Sequence, residues 1–336
     1  MLTIRENACL REKETLSPKA ALASETKGRL RSEEECPVRT AFQRDRDRII
    51  HSSSFRRLKH KTQVFLSPEG DHYRTRLTHT LEVSQIARTI AGALQLNCDL
   101  TEAIALGHDL GHTPFGHAGE RALNEVCPSG FKHYAQSLRV VDFLEKEGAG
   151  LNLTFEVRNG IERHTNGEQA ATLEGRIVRL ADRIAYINHD IDDATVAGIM
   201  CEDDIPLAIR HVLGTSKSAR INTLVLNCIE NSSDDIILEK GIQEAFDELH
   251  SFMFAKVYTN PACKSEEKKA MDMIQRLYFH FAKKPENLPP QFRGIAENEG
   301  IGTAACDFIA GMTDRYAVRV FNELYVPKAW SKTETF

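Results

Sequence analysis

Apolar residues recur at helical spacing along most of this chain, whereas strict alternation of apolar and polar residues never extends beyond a few positions. One apolar stripe is formed by Leu77, Leu81, Ile86, Ile90 and Leu94. Another, within a predicted long helix over 172–194, is formed by Ile177, Leu180, Ile184, Ile187 and Ile191. The pattern therefore predicts an all-α fold without internal repeats.

Helix ends are predicted from caps and breakers. The sequence from Asp99 to Glu102 has the form of a capping box, which predicts the start of a helix. Gly111 and Pro114 are expected to end that helix. Further helical stretches are predicted over 116–126, 137–146, 154–163 and from 204 to the C-terminus.

The N-terminal residues differ from the rest of the chain. Residues 1–38 are polar and lack sustained periodicity, so we predict a flexible N-terminal arm there. The folded core is predicted over 39–336, with a central helical unit at about 60–200 and a helical C-terminal part at about 201–336.

Composition limits the function classes. The chain is 41% hydrophobic and 27% charged, and no apolar run approaches a membrane span, so no membrane association is expected. Its eight cysteines are scattered without a C-x-x-C pair, which favours reduced thiols and a cytoplasmic location. The net charge of −5 argues against general nucleic-acid affinity, but the basic stretch from Arg39 to Arg76 favours a polyanionic ligand such as a triphosphate.

The densest group of candidate functional residues lies between Gly107 and His117, in the string GHDLGHTPFGH. His108 and Asp109 continue an apolar helix, and burying an unpaired carboxylate costs several kcal/mol. A divalent metal is a common way to compensate a carboxylate beside an imidazole. The pair therefore predicts a metal site.

Two further candidate ligands lie on other predicted helices. His79 stands on the helix before the His-Asp pair, and Asp182 stands on the long helix after it. A single helical histidine is usually a hydrogen-bonded core or surface residue. Four ligand-type residues in the order H…HD…D favour a metal site instead.

The long helix carries more polar groups on the face of Asp182. Tyr186 and Asp190 follow at i+4 and i+8, so the three side chains share one face. A solvated helix face is the alternative, although it accounts poorly for Tyr186. The arrangement predicts that the cavity beside the metal continues along this helix.

A second histidine cluster is a candidate acid–base group. His112 and His117 follow the His-Asp pair, and Glu120 lies three residues after His117, where it can fix the tautomer of that ring. His133 is a further candidate. Taken singly, each of these residues is more often structural than catalytic.

The chain resembles the deoxyguanosinetriphosphate triphosphohydrolase (dGTPase) family, in its bacterial dGTPase-like branch, which belongs to the HD-domain metal-dependent phosphohydrolases. Besides GHDLGHTPFGH, the matching strings are RTAFQRDRDRIIHS from Arg39, FRRLKHKTQVF from Phe55, RTRLTHTLEV from Arg74, LADRIAYINHDIDDA from Leu180 and DFIAGMTDRYA from Asp307. The resemblance implies an HD-domain helical fold with additional C-terminal helices. It also implies hydrolysis of a dNTP to a deoxynucleoside and triphosphate, with a divalent ion such as Mn²⁺, Mg²⁺ or another transition metal.

The resemblance also assigns roles to single residues. It gives the metal to His79, His108, Asp109 and Asp182. It implies phosphate contacts from Arg76 and Arg183, a sugar contact from Tyr186, and recognition of the 3′-hydroxyl by Asp190 with Gln63. It implies an acid–base group of His117, Glu120 and His133, to which we add His112 as a neighbouring candidate.

Two positions depart from the family pattern. Tyr134 stands where relatives often carry Asn, and His250 stands where Arg is common, so a triphosphate contact is missing at that position. The resemblance further implies a homo-oligomer, with a hexamer as one form, and names an allosteric dNTP and single-stranded DNA as candidate partners.

Two alternative functions remain open from the sequence. One is another HD-type phosphohydrolase acting on a different nucleotide. The other is a nucleotide- or ssDNA-binding regulator that retains the metal. Release of triphosphate rather than phosphate would favour a dNTP triphosphohydrolase over the other phosphohydrolase. Absence of any turnover with Mn²⁺ or Mg²⁺ would favour the regulator.

Overall fold

Sixteen α-helices make up the described part of the chain, and no β-strand occurs in it. The computed structural model describes residues 2–63, 74–165, 167–259 and 261–328, without the side chains of 258 and 261–265. The prediction of an all-α fold is confirmed. None of the described helices is long and apolar enough to cross a membrane.

The helices of the first half are α1 Ile4–Thr15, α2 Ala41–Ile50, α3 Ser53–Arg57, α4 Arg76–Ala93, α5 Cys98–Gly107, α6 Gly116–Val126, α7 His133–Arg139 and α8 Phe155–Glu162. Those of the second half are α9 Leu173–Val196, α10 Leu207–Leu213, α11 Lys217–Asn231, α12 Lys240–Met253, α13 Pro261–Lys283, α14 Pro290–Glu299, α15 Ile301–Ala310 and α16 Asp314–Tyr325. One π-helical turn, Val140–Leu144, follows α7.

Side-chain caps explain several helix starts. Thr40 accepts a hydrogen bond from the backbone of Gln43, whose side chain reaches back to complete a capping box on α2. At α5 the predicted cap is wrong by two residues, because Asn97 rather than Asp99 accepts from the Leu100 N–H. Asp99 instead accepts hydrogen bonds from Gln43 and from a neighbouring arginine on α2.

Two apolar cores organise the helices. In the first core, α4 packs against α5 and α9. The fully buried residues of this core include Ile90, Ile104 and Ile184. The second forms where α13 packs against α6 and α15, with Leu123 and Ile309 fully buried. Because α6 belongs to the second core, the C-terminal helices pack directly beside the string that carries the histidines.

The loop between α5 and α6 is sterically constrained. A Cβ atom at Gly111 would lie 2.1 Å from the backbone N of Ser137, so only glycine permits this approach of α7. Phe115 and Gly116 adopt left-handed φ angles of 62° and 54°, which turn the chain into α6. The predicted break at Gly111 and Pro114 therefore lies between two packed helices.

The N-terminal residues differ from the predicted flexible arm. Residues 4–15 form α1, which begins with a capping box at Thr3. Further along, Thr26 donates to Glu156 of α8, and the Ala21 N–H donates to Glu174 of α9. Helix α1 has no buried apolar stripe, since Cys9 is its buried residue. Polar contacts such as these therefore hold the segment. Residues 2–38 are therefore packed onto the helical core.

Two cysteines also differ from the expectation of reduced thiols. Cys127, which follows α6, forms a disulfide with Cys306 of α15 within the second core. The two residues are 179 positions apart in sequence, so their proximity depends on the tertiary packing. Five other described cysteines are free.

Candidate metal and acid–base site

The four predicted metal ligands come together from three helices of the first core. Nε2 of His79, on α4, lies 3.0 Å from Oδ1 of Asp182, on α9. Nε2 of His108, which caps α5, lies 3.4 Å from Oδ1 of Asp109 and 3.8 Å from Oδ1 of Asp182. Metal–ligand bonds of about 2.0–2.2 Å fit ligand atoms at such separations. We call these residues the metal-candidate cluster.

His108 provides the clearest test of whether a metal fits. Its Nδ1 donates a 2.6 Å hydrogen bond to the Ala105 carbonyl, which leaves a lone pair on Nε2. That Nε2 atom is buried and has no hydrogen-bond partner among the described residues. A buried imidazole with one nitrogen fixed and the other unsatisfied, facing two carboxylates, is the donor set that a divalent ion requires. The cluster therefore fits a divalent metal.

The carboxylates of the cluster are held in their charged form. Burial opposes the ionisation of Asp182, but the hydrogen bond from His79 and the nearby His108 outweigh it and lower its pKa to about 2. Burial likewise opposes ionisation of Asp109, and His108, His112 and Arg76 together keep its pKa well below the usual value. Two ionised carboxylates are therefore ready to bind a cation.

The second histidine cluster lies directly beside the first. Oε2 of Glu120, on α6, accepts from Nδ1 of His133 at 2.9 Å and lies 3.4 Å from Nδ1 of His117. The ring of His112 stacks on His133 with centroids 4.1 Å apart, and its Nε2 lies 3.2 Å from Oδ1 of Asp109. Asp109 thus joins the two clusters. We call His112, His117, Glu120 and His133 the acid–base cluster.

The acid–base cluster also contains ligand-type atoms. One ring nitrogen each of His112 and His133 lies within ligand distance of a carboxylate oxygen of Asp109, so these three residues could also hold a metal ion. Burial opposes ionisation of Glu120, but its hydrogen bonds from His117 and His133 outweigh it and lower its pKa well below the usual value. Burial also lowers the pKa of His112 well below its ordinary value.

The predicted phosphate-binding arginines have different partners. Nη1 of Arg76 donates to Oδ2 of Asp109 at 2.7 Å, whereas its Nε and Nη2 have no partner among the described residues. Nη2 of Arg183 donates to Asp247 of α12 at 2.7 Å, and its guanidinium lies over the ring of Phe246. Arg76 therefore lies inside the site, while Arg183 is held at its rim.

Tyr186 and Asp190, two of the predicted sugar-contacting residues, lie one turn apart on α9. Burial raises the pKa of Tyr186 to about 12, so this phenol is neutral. Burial and the neighbouring Asp193 and Asp182 raise the pKa of Asp190 well above its usual value. Gln63 has a buried Oε1 without a hydrogen-bond partner among the described residues.

The two departures from the family pattern lie next to site residues. The Tyr134 ring packs edge-on against His133 with centroids 5.8 Å apart, and His133 keeps its bond to Glu120. His250 stands on α12, and the centroid of its ring lies 6.2 Å from that of Tyr186. His250 therefore borders the predicted sugar pocket.

Sequence reasoning missed several buried residues of the site. His164, just after α8, donates from Nδ1 to the Ile161 carbonyl at 2.7 Å, and its ring lies 5.0 Å from that of His108. Burial lowers its pKa to about 3, so it is neutral near pH 7, and it lies within ligand distance of His108 and Asp182. Its surrounding sequence offered no signal beyond the residue type.

His189 is a second residue that the sequence analysis did not identify, and it contacts His79 on the side away from Asp182. Nδ1 of His79 lies 3.4 Å from Nδ1 of His189, whose Nε2 contacts Glu82 at 2.7 Å. Such a chain of partners orients a metal-binding imidazole. Burial lowers the pKa of His189 to about 4, although its hydrogen bond to Glu82 opposes this.

The basic stretch from Arg39 is largely paired within the protein. Arg44 and Arg48 both contact Glu33, and Arg46 contacts Asp99. Part of the charge excess seen in the sequence is therefore compensated by nearby carboxylates in the part of the stretch that the structure describes.

The arrangement of helices and ligands is that of an HD-domain protein, and two family models match the chain. The HD domain matches residues 76–187, and the phosphohydrolase-associated domain matches residues 236–323. Two relatives from Caldanaerobacter subterraneus subsp. tengcongensis and Clostridium perfringens strain 13 are named deoxyguanosinetriphosphate triphosphohydrolase-like proteins. They are 52% and 50% identical, covering 100% and 97% of this chain and 99% of each relative. The chain belongs to this family of HD-domain phosphohydrolases, which confirms the resemblance inferred from the sequence motifs.

A solved structure supports the fold separately. A phosphohydrolase from Bacteroides thetaiotaomicron VPI-5482 is 20% identical and superposes with a TM-score of 0.53, covering 82% of this chain and 67% of that one. At this identity the likeness concerns the fold alone.

Proposed function

We propose that this protein is a metal-dependent dNTP triphosphohydrolase, which cleaves dGTP or several dNTPs to a deoxynucleoside and triphosphate. The observation that carries the proposal is the adjacency of two clusters joined by Asp109: one fits a divalent metal, and the other is a carboxylate–histidine group suited to proton transfer. The names of the most similar relatives support the same substrate class.

The phosphate groups would bind on the side of Arg76. A divalent ion held by the metal-candidate cluster supplies Lewis-acid stabilisation of phosphate charge. Nε and Nη2 of Arg76, which have no partner among the described residues, offer further hydrogen bonds to phosphate oxygens in a buried, water-poor site. Arg183 would contribute after exchanging its partner Asp247 for a phosphate.

The sugar would bind along α9. In this proposal the neutral phenol of Tyr186 flanks the deoxyribose, and Asp190 and Gln63 recognise its 3′-hydroxyl. The buried Oε1 of Gln63 requires a donor, and a hydroxyl group supplies one.

The leaving O5′ atom would be protonated from the acid–base cluster. Glu120 holds Nδ1 of His133 and therefore directs the other ring nitrogen away from itself. His117 shares the same carboxylate at the exposed edge, and His112 bridges from His133 to Asp109. These contacts favour His133 or His117 as the proton donor.

The decisive experiment is incubation of the metal-loaded protein with each of the four dNTPs, singly and mixed, with chromatography of the products. We expect deoxynucleoside and triphosphate in equal amounts. Release of phosphate or a monophosphate would favour another HD-type nucleotide phosphohydrolase. Complete absence of turnover with Mn²⁺ and Mg²⁺ would favour a nucleotide- or ssDNA-binding regulator.

The mixed incubation also tests for an allosteric dNTP, since activation appears as turnover of one dNTP only when another is present. We further propose a cytoplasmic homo-oligomer, with a hexamer as the expected form. Light scattering coupled to gel filtration measures the oligomeric state. Single-stranded DNA is the weaker candidate partner, because Arg44, Arg46 and Arg48 of the basic stretch are paired with carboxylates.

A further inference from the structure

The start of α16 is tied to two segments that border the site. Oδ2 of Asp314 accepts from the backbone N–H of Thr62 at 3.0 Å and from its hydroxyl at 2.7 Å. Oδ1 of Asp314 accepts from the Phe115 N–H at 3.0 Å. Thr62 precedes the proposed sugar-contacting residue, and Phe115 precedes the helix that carries Glu120. One buried carboxylate therefore fixes both segments.

Lys61 makes a second connection to the same region. Its Nζ is buried and donates to the carbonyl of His112 and, at 2.8 Å, to the carbonyl of Ala310 at the end of α15. Burying an ammonium group is costly unless its donors are satisfied. The two carbonyls accept from two of its three donors, and Lys61 thereby joins the histidine-bearing loop to the C-terminal helices.

Asp307 of α15 makes the third connection, to α7. It accepts from Nε2 of Gln136 at 2.9 Å and forms a bidentate pair with Arg139 at 2.7–2.9 Å. Ser137, between them, bridges to the loop by accepting from the Gly111 N–H and donating to the His108 carbonyl. The helix that begins at His133 is thus held from the C-terminal side.

The metal-candidate cluster has a different foundation. His79 and Asp182 stand on α4 and α9, and His108 ends α5; these helices pack around the first apolar core. The acid–base cluster instead stands on α6, α7 and the loop between α5 and α6, which contact α13, α15 and α16. A change in the C-terminal helices therefore reaches the acid–base cluster directly, and reaches the metal-candidate cluster through Asp109, which begins that loop, and through the bond from Ser137 to His108.

We propose that Asp314 is a positioning residue for catalysis, which together with Lys61 and Asp307 sets the acid–base cluster against a metal centre held mainly by helices of the first core. The expected effect of Asp314 on turnover rests on the proposed function. Its expected effect on the position of the acid–base cluster does not. A misplacement of about 1 Å in such a group can lower the rate by about 10²-fold. The C-terminal helices thus act on turnover without contributing a ligand.

The test compares Asp314→Asn with Asp272→Asn, a matched control at an exposed position of α13. The amide keeps the size of Asp314 but cannot accept from all three donors. We expect kcat for the best dNTP to fall about 10²-fold, with bound metal unchanged. Hydrogen exchange should rise in peptides covering 110–139, and not in those covering 76–109 or 173–196. Asp272→Asn should match the unsubstituted protein in all these measurements.

A milder variant covers the case in which Asp314→Asn does not fold. Thr62→Val removes one of the three hydrogen bonds and keeps the side-chain shape, so the same pattern should appear with a smaller fall in kcat. Equal exchange increases in 76–109 and 110–139, or loss of metal in parallel with kcat, would assign Asp314 a general structural role and overturn the proposal. Unchanged hydrogen exchange and unchanged kcat in these variants would also overturn the proposal.

The outcome remains interpretable if the proposed function fails. Absence of dNTP hydrolysis by the unsubstituted protein would overturn the proposed function but not the positioning role of Asp314. The hydrogen-exchange and metal measurements do not depend on a substrate. Selective exchange in 110–139 would then still support the positioning role of Asp314.

Discussion

Arg76 and Asp109 form a buried ion pair inside the site, with Nη1 and Oδ2 2.7 Å apart and both side chains no more than 4% exposed. The proposed phosphate ligand is therefore bonded to a proposed metal ligand. A change at Asp109 removes a carboxylate from the metal and leaves a guanidinium without its partner. Phosphate and metal binding should consequently be coupled through this pair.

The first prediction concerns the metal. Asp109→Ala should abolish both metal binding and turnover, and it should also lower stability by about 3–5 kcal/mol because Arg76 is left unpaired. Asp182→Asn should abolish metal binding without that added cost, since no arginine is paired with Asp182 in the described residues. Elemental analysis and thermal melting measure the two effects. Full metal occupancy in either variant contradicts the ligand assignment.

The second prediction concerns the sugar. If Asp190 and Gln63 recognise the 3′-hydroxyl, a dideoxy analogue lacks the group that they bind, and kcat/KM should fall by at least about 10²-fold. Tyr186 should discriminate against the ribose 2′-hydroxyl in the same assay. The measurement is kcat/KM for dGTP, GTP and ddGTP under identical conditions. Equal turnover of dGTP and GTP is the result that would remove this pocket from the proposal.

The third prediction concerns the acid–base cluster. His117→Ala and His133→Ala should each lower kcat by about 10²- to 10⁴-fold with metal still bound, if both rings serve the leaving group. The His117 side chain is 67% exposed, so its removal should leave the melting temperature nearly unchanged, whereas removal of the 13%-exposed His133 should lower it. A fully active, metal-loaded His117→Ala protein would leave His133 as the candidate.

The fourth prediction is a pH dependence of stability. Burial, with repulsion from Arg57, lowers the pKa of Lys61 to about 7 from 10.5. Between these values the unfolded chain binds one more proton than the folded chain, so the contribution of Lys61 to stability rises with pH. The stability difference between the unsubstituted protein and Lys61→Met should therefore shift in favour of lysine from pH 7 towards pH 9. Denaturant unfolding at several pH values measures it, and a constant difference contradicts the shift.

The fifth prediction concerns the pair Cys127–Cys306. Because this disulfide closes a long loop of chain, reduction should destabilise the protein by about 2–5 kcal/mol. Cys127→Ser should show the same loss and no longer respond to reductant. Thermal melting with and without dithiothreitol provides the measurement, and Cys98→Ser is a control at a free cysteine. Equal melting temperatures in all samples would show that the pair is dispensable.

The sequence predicted the helical fold well because α4 and α9 carry regular apolar stripes. The four residues of the metal-candidate cluster each have a recognisable position in one helix or near its end, so the sequence could single them out; that they hold a metal stays a prediction. The predicted cap at Asp99 was wrong because that carboxylate pairs with α2. Such a pairing depends on tertiary structure, which a local capping pattern does not report.

Longer-range contacts left no signal in the sequence. Thr62 and Asp314 are 252 positions apart, and the ammonium of Lys61 reaches two carbonyls whose positions depend on the whole fold. The N-terminal segment was misread for a related reason. Its helix α1 buries little apolar surface, and its attachment depends on hydrogen bonds such as those from Thr26 to Glu156 and from Ala21 to Glu174.

Glu33 has a practical consequence for the design of shortened versions of this protein. Its carboxylate contacts Arg29, Arg44 and Arg48 and lies within the segment that sequence analysis would discard as an arm. A version starting at residue 39 would keep Arg44 and Arg48 but lose the carboxylate that neutralises them. Such a truncation would expose uncompensated positive charge. DNA that copurified with the shortened protein would then be a consequence of removing Glu33.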